Sequence, residues 1–122
     1  MPLVFISTGE LFDKYTILEI KRDKIQDENK LLSIHQELSH LTPFIDLSDN
    51  QTIVLLNEMK EINVRLWEIE DRIRIKEANQ EFDAEFIQIA RSVYITNDER
   101  HVHKNKINSI FKSLVTDIKS YV

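Results

Sequence analysis

The sequence has no cysteine, one glycine and two prolines among its 122 residues. Without cysteine there is no disulfide framework, no thiolate metal site and no thiol nucleophile, a composition suited to a reducing compartment. An all-β chain of this size needs many turn residues, so the scarcity of glycine and proline points to a few long helices. No apolar run approaches the length of a membrane span. The first residues lack the basic and apolar regions of a secretory leader. The expectation is a cytoplasmic protein with no membrane partner. Serine–histidine–acid groupings, a phosphate-binding loop and a dinucleotide fingerprint are all missing as well.

What is present is globular: 42% hydrophobic and 30% charged residues with a net charge of −5, enough for one domain over residues 1–122 with its own core. Acids crowd the first hundred positions, whereas the segment from Arg100 onward is basic with Asp117 its single acid. Lysines near a helix C-terminus complement the helix dipole. With the rest of the chain acidic, no nucleic-acid partner is expected.

Leu3-Val4-Phe5-Ile6 reads as either a short strand or an extended arm. Ser7 and Glu10 have capping-box spacing, so a helix starts near Thr8. It continues through Ile25, with a break or bend at Asp27-Glu28-Asn29, resumes to about Leu41 and is ended by Pro43. Ser48, Asp49 and Asn50 are candidate caps for a second helix, whose Leu55, Met59, Ile62, Leu66, Ile69 and Ile73 alternate in steps of four and three. That helix ends near Asn79. Asp83 caps a third, from Ala84 to about Ser120, with a bend near Thr96-Asn97-Asp98 as an alternative to a continuous run. The fold class is all-α: three long helices in an antiparallel bundle. Helix one is apolar on two sides, Ile17, Ile20, Leu31, Ile34, Leu38 and Leu41 on one and Leu11, Leu18, Ile25 and Leu32 on the other. Either a central position or a homodimer interface explains the second face, and the homodimer is favoured.

The informative feature is an interrupted stripe. Along helix three, Phe86, Ala90, Val93, Asn97, Arg100, Lys104, Asn108, Phe111 and Val115 recur at helical period, apolar at both ends and polar in the middle. Lys14 and Lys21 interrupt Leu11, Leu18 and Ile25 in the same way, and Asn63, Glu70, Arg74 and Glu77 edge the seam of helix two. Inward charges are costly unless they are paired or bind something. One reading is a salt-bridge network in which Glu70 and Glu77 neutralise Lys21, Arg100 or Lys104. The other is an inter-helix pocket with cations for a carboxylate or phosphate, its residues being Lys14, Lys21, Glu70, Arg74, Asn97, Arg100 and Lys104. No metal and no cofactor is expected: His101 and His103 point in different directions on a helix, and Glu68 and Asp71 fall on an outer face. The backbone N–H groups at Ser7-Thr8-Gly9 are a weaker anion candidate, since capping explains the same residues. Trp67, beside the seam, reads as a packing or interface residue.

Several stretches together resemble a family of small bacterial and viral proteins of unknown function: Ser7 to Lys14 (STGELFDK) with Thr16 to Lys21 (TILEIK), Leu66 to Arg74 (LWEIEDRIR), Ala90 to Arg100 (ARSVYITNDER) and Lys106-Ile107-Asn108. The similarity spans nearly the whole chain. Thr8 stands where many relatives are expected to carry proline, and either residue begins a helix. The resemblance implies no catalytic residues; its members' proximity to enzymes of sugar and cell-surface polysaccharide metabolism implies a pathway. Its motifs coincide with Lys14, Lys21, Glu70, Arg74, Asn97 and Arg100. The leading expectation is a dimeric, non-enzymatic helical binding or accessory module that accepts an anionic small molecule or a partner's acidic group. The alternatives are a small all-α enzyme, chorismate-mutase-like or nucleotide pyrophosphatase-like, in which Lys21, Arg74, Arg100 and Lys104 would orient a dicarboxylate, and a structural coiled-coil adaptor.

Overall fold

The computed structural model describes residues 1–113, and among these every regular element is helical. There are four α-helices rather than three: α1 (Thr8–Lys24), α2 (Glu28–Leu41), α3 (Asn50–Ala78) and α4 (Ala84–Ile110). The extra helix arises at the suspected break. Ile25 leaves the helical region with φ −86° and ψ 136°. Asp27 then restarts the chain, its Oδ1 accepting the amides of Asn29 at 2.9 Å and Lys30 at 3.1 Å. A single 3-10 turn, Thr42–Phe44, carries Pro43 and closes α2. Leu3 to Ile6 form no strand and stay exposed; among the described residues no sheet edge offers that run a hydrogen-bonding partner.

Local chemistry sets the other boundaries. Ser7 Oγ accepts the Glu10 amide at 3.0 Å, Asp49 Oδ2 that of Thr52 at 3.1 Å, and Asp83 Oδ1 that of Phe86 at 2.9 Å, so each helix begins on a side-chain cap. Two helices end alike. Gln80 has φ 54° and Lys112 φ 51°. The amides that follow reach back five residues, Glu81 to Lys76 O at 2.9 Å and Ser113 to Asn108 O at 2.9 Å, the left-handed cap that usually falls to glycine. α4 therefore stops at Ile110, not near Ser120, which lies outside the described residues, and it runs unbroken through Asn97.

α3 and α4 form a long antiparallel hairpin. Arg65–Glu99 at 2.7 Å, Lys106–Glu58 at 3.8 Å and Arg72–Glu85 at 3.8 Å fix its register. At its tip Lys76 pairs with Asp83 at 3.0 Å and Glu81 at 3.1 Å. The Phe86 amide, followed by the Lys76 ammonium, holds the Asp83 carboxyl below its ordinary range. Hydrogen bonds to Asp83 and Glu81 push the Lys76 ammonium up.

α1 packs against α2, α3 and α4. The core gathers around it: Phe12, Tyr15 and Leu18 with Ile34, Leu38, Leu55, Leu56, Met59 and Ile107. α1's central position accounts for Leu11, Leu18 and Ile25 on the second apolar face, whereas Leu32, carried by α2, stays 60% exposed. Burial also pushes the Tyr15 phenol up, helped by the Glu19 carboxylate and opposed by Arg22.

Candidate functional site

The single glycine marks where α1 crosses α4. A Cβ on Gly9 would lie 2.4 Å from Lys104 O and 2.8 Å from Asn108 Oδ1, closer than carbon atoms are tolerated, so only glycine lets the two backbones approach this far. The first three amides of α1 are all met: Thr8 by Ser113 Oγ at 3.0 Å, Gly9 by Asn108 Oδ1 at 2.6 Å and Glu10 by Ser7 Oγ. The anion once considered for this helix start has its place filled by the protein's own side chains.

Four residues farther along α1, Asp13 is 1% exposed. Arg100 of α4 grips it along one edge of the guanidinium, Nε donating to Oδ1 at 2.9 Å and Nη2 to Oδ2 at 2.5 Å. Asn63 Nδ2, from α3, donates to Asp13 Oδ1 at 2.9 Å and to Thr16 Oγ1 at 3.0 Å. Lys104 Nζ lies 4.0 Å from Asp13 and donates to Glu10 at 2.6 Å. One carboxylate thus ties three helices together. Its cost of burial is offset by charge-assisted bonds from an arginine and an amide. Among the described residues no buried side-chain nitrogen or oxygen lacks a partner.

Arg100 also forms part of the wall of a groove of about 620 Å³ between α1, α3 and α4. Ile17, Ile20, Leu66 and Trp67 give it apolar surface; Asn63, Glu70, Asp71, Arg74, Asn97 and Arg100 give it polar groups. Arg100 Nη1 donates to Asn97 Oδ1 at 3.4 Å, and Arg74 Nε lies 3.7 Å from Glu70 one turn away. Two cations and two acids line the groove, so the lining is charge-balanced.

Four of the residues singled out by sequence, Glu70, Arg74, Asn97 and Arg100, share this groove. Lys14 is exposed away from it. Lys21 lines a separate depression with Ile25, Asn29 and Ile34, and Lys104 is spent on Glu10 and Asp13. The inward cations of α4 are paired, but with acids of α1 and not with Glu70 or Glu77. Asp13 was the residue missed. It lies with Gly9, Thr16 and Ile20 on a stripe spaced four, three and four, all buried. Because that stripe is small and polar, hydrophobic periodicity passes over it. A lone glycine and a lone acid one turn apart were the available signal. His103 places Nε2 3.1 Å from Leu55 O. No group of three or more histidine, aspartate or glutamate side chains able to hold a metal occurs among the described residues.

The chain belongs to a family of unknown function, DUF6165, whose model matches residues 3–122. No curated protein and no solved structure matches it. Among the described residues no helix is long and apolar enough to cross a membrane.

Proposed function

We propose that the protein is a non-enzymatic helical binding module whose inter-helix groove receives the phosphate or carboxylate of a small molecule or partner. The observation that carries this reading is the state of Arg100. Its guanidinium is clamped on buried Asp13 while forming the groove wall beside Asn97, so a planar cation stands preorganised at the site and little rotamer entropy is lost on binding. Arg74 adds a second cation at the rim. Glu70 and Asp71 would repel a bare anion. The charge-balanced lining therefore selects a ligand that brings hydrogen-bond donors along with its negative charge, and Trp67 offers that ligand a flat apolar face. Sugar phosphates and sugar acids have this chemistry, in keeping with a role in sugar or cell-surface polysaccharide metabolism.

Thermal denaturation with sugar phosphates, sugar acids, dicarboxylates and inorganic phosphate tests it. A ligand at about a hundred times its dissociation constant adds roughly 2.7 kcal/mol to apparent stability, a rise of roughly 10 °C for a domain of this size. Arg100→Met would strand Asp13, so Asn97→Ala combined with Arg74→Met, both exposed positions, is the cleaner control. The expected result is a shift for a polyhydroxylated anion larger than for phosphate, reduced in the double variant. Absence of any shift, or an equal shift in the variant, refutes the reading.

A further inference from the structure

Burial along one stripe of α3 stops abruptly. Thr52, Leu56, Met59 and Asn63, spaced four, three and four, are buried at 2%, 6%, 0% and 5% exposure. Their continuation at the same spacing is half-buried Trp67 and then exposed Glu70 and Arg74. α1 reaches Asn63 through Asp13 and Thr16, and beyond it only Ile17 and Ile20 face the groove beside Leu66 and Trp67. On the neighbouring helix, Ile87, Ala90, Tyr94 and Asn97 recur at steps of three and four and so share the side on which Asn97 meets the groove. Ile87 and Tyr94 are 57% and 53% exposed. At the rim of that groove Glu70, Arg74, Ile87 and Tyr94 leave one mixed apolar and charged face exposed.

The charge pattern on that face says what fits it. Glu70 and Arg74 are one turn apart, loosely paired at 3.7 Å with side chains 49% and 79% exposed, an arrangement that water screens and that binds neither side chain tightly. A foreign acidic or basic partner would meet a like charge at every second contact. A copy related by a two-fold axis would not, because an isologous contact brings residue i to j and j to i. An acid and a base one turn apart make the smallest patch complementary to itself. We propose that a second copy of this chain covers the face, the two α3 helices antiparallel about an axis near residue 72. Glu70 of each then meets Arg74 of the other, with Trp67 and Tyr94 in the flanking apolar contact. Arg74 and Trp67 serve both readings, so a copy seated on this face and a ligand at the rim of the groove compete for them. The pairing does not depend on the anion reading and is measured with no anion ligand present.

Sedimentation of charge-swapped variants tests it. Glu70→Arg places arginine against arginine twice in a homodimer, and Arg74→Glu places acid against acid; both sites are exposed, and circular dichroism checks that helix content is kept. The expected result is a dimeric wild type, two monomeric single variants, and a heterodimer when the two variants are mixed, since arginine at 70 then faces glutamate at 74 and the native contact is restored at the other end. A wild type still monomeric at about 100 μM, above the dissociation constant of even a weak micromolar dimer, overturns the proposal. So does a single variant that dimerises like the wild type, or a mixture that stays monomeric.

Discussion

Removing the Asp13 carboxylate should do more damage than any other single change to a polar group in the molecule. In Asp13→Ala, Arg100 keeps its charge with 31% of its side chain exposed, and Lys104 does so with 13%. Asn63 loses one acceptor for its amide. Breaking a buried ion pair from one side costs about 3–5 kcal/mol, and an orphaned buried donor costs about 1–3 kcal/mol. Arg100 reaches water and Lys104 retains Glu10, so the loss belongs near the lower end, about 3 kcal/mol. With a urea slope of about 1.5 kcal/mol per molar, the midpoint falls by roughly 2 M. The companion experiment asks whether the pair stabilises or merely compensates. Asp13→Leu with Arg100→Met removes both charges at similar volume and should recover most of the loss, giving a coupling energy of at least about 1 kcal/mol in the double-mutant cycle. A midpoint for Asp13→Ala within about 0.3 M of wild type, or strictly additive single and double variants, would show that the carboxylate does not hold the three helices together.

Two further changes test the helix ends. Gln80→Gly and Lys112→Gly relieve left-handed backbone and should each stabilise the fold by up to about 1 kcal/mol, read as a raised denaturation midpoint. Alanine at the same sites, which keeps a Cβ, should not. The hairpin tip should respond to pH in opposite senses. Asp83 is lowered in the fold, so its contribution is present above its ordinary value of 3.8 and is lost as pH falls through the folded value. Lys76 is raised, so its contribution is present below 10.5 and is lost as pH rises through the folded value. Asp83→Asn should flatten the acid limb of a stability profile, and an unchanged limb would refute this.

The features written in local chemistry were legible in the chain. Ser7, Asp49 and Asp83 cap helices because a short side-chain oxygen beside an apolar periodic run has few other uses, and helix type followed from spacing alone. What stayed hidden depended on distance or on exceptions. Asp27 starts a fourth helix where a bend was equally consistent with the pattern. Lys112 ends α4 in a conformation that glycine advertises and lysine does not, which is why the helix was drawn too long. Arg100, Asn97, Glu70 and Arg74, conspicuous as polar residues along otherwise apolar stripes, come together in one groove. Asp13 was not found, since its stripe has no apolar majority to interrupt and its partners lie 50 and 87 residues away. Lys14 and Lys21 do not line that groove, since a lysine on an apolar stripe can simply extend to water.

The closure of α1 onto the far end of α4 has a consequence for the order of events during synthesis. The Gly9 amide is met by a side chain 99 residues later and the Thr8 amide by one 105 residues later. At about 5–20 residues per second, the start of the first helix is made roughly 5–20 s before the groups that complete its first turn exist. Until Asn108 and Ser113 have been added, that turn has only Ser7 to satisfy its amides, and the glycine at the crossing weakens it as a free helix. α1 is therefore translated well before the groups that complete its first turn, and its closure onto α4 comes as a late act of folding.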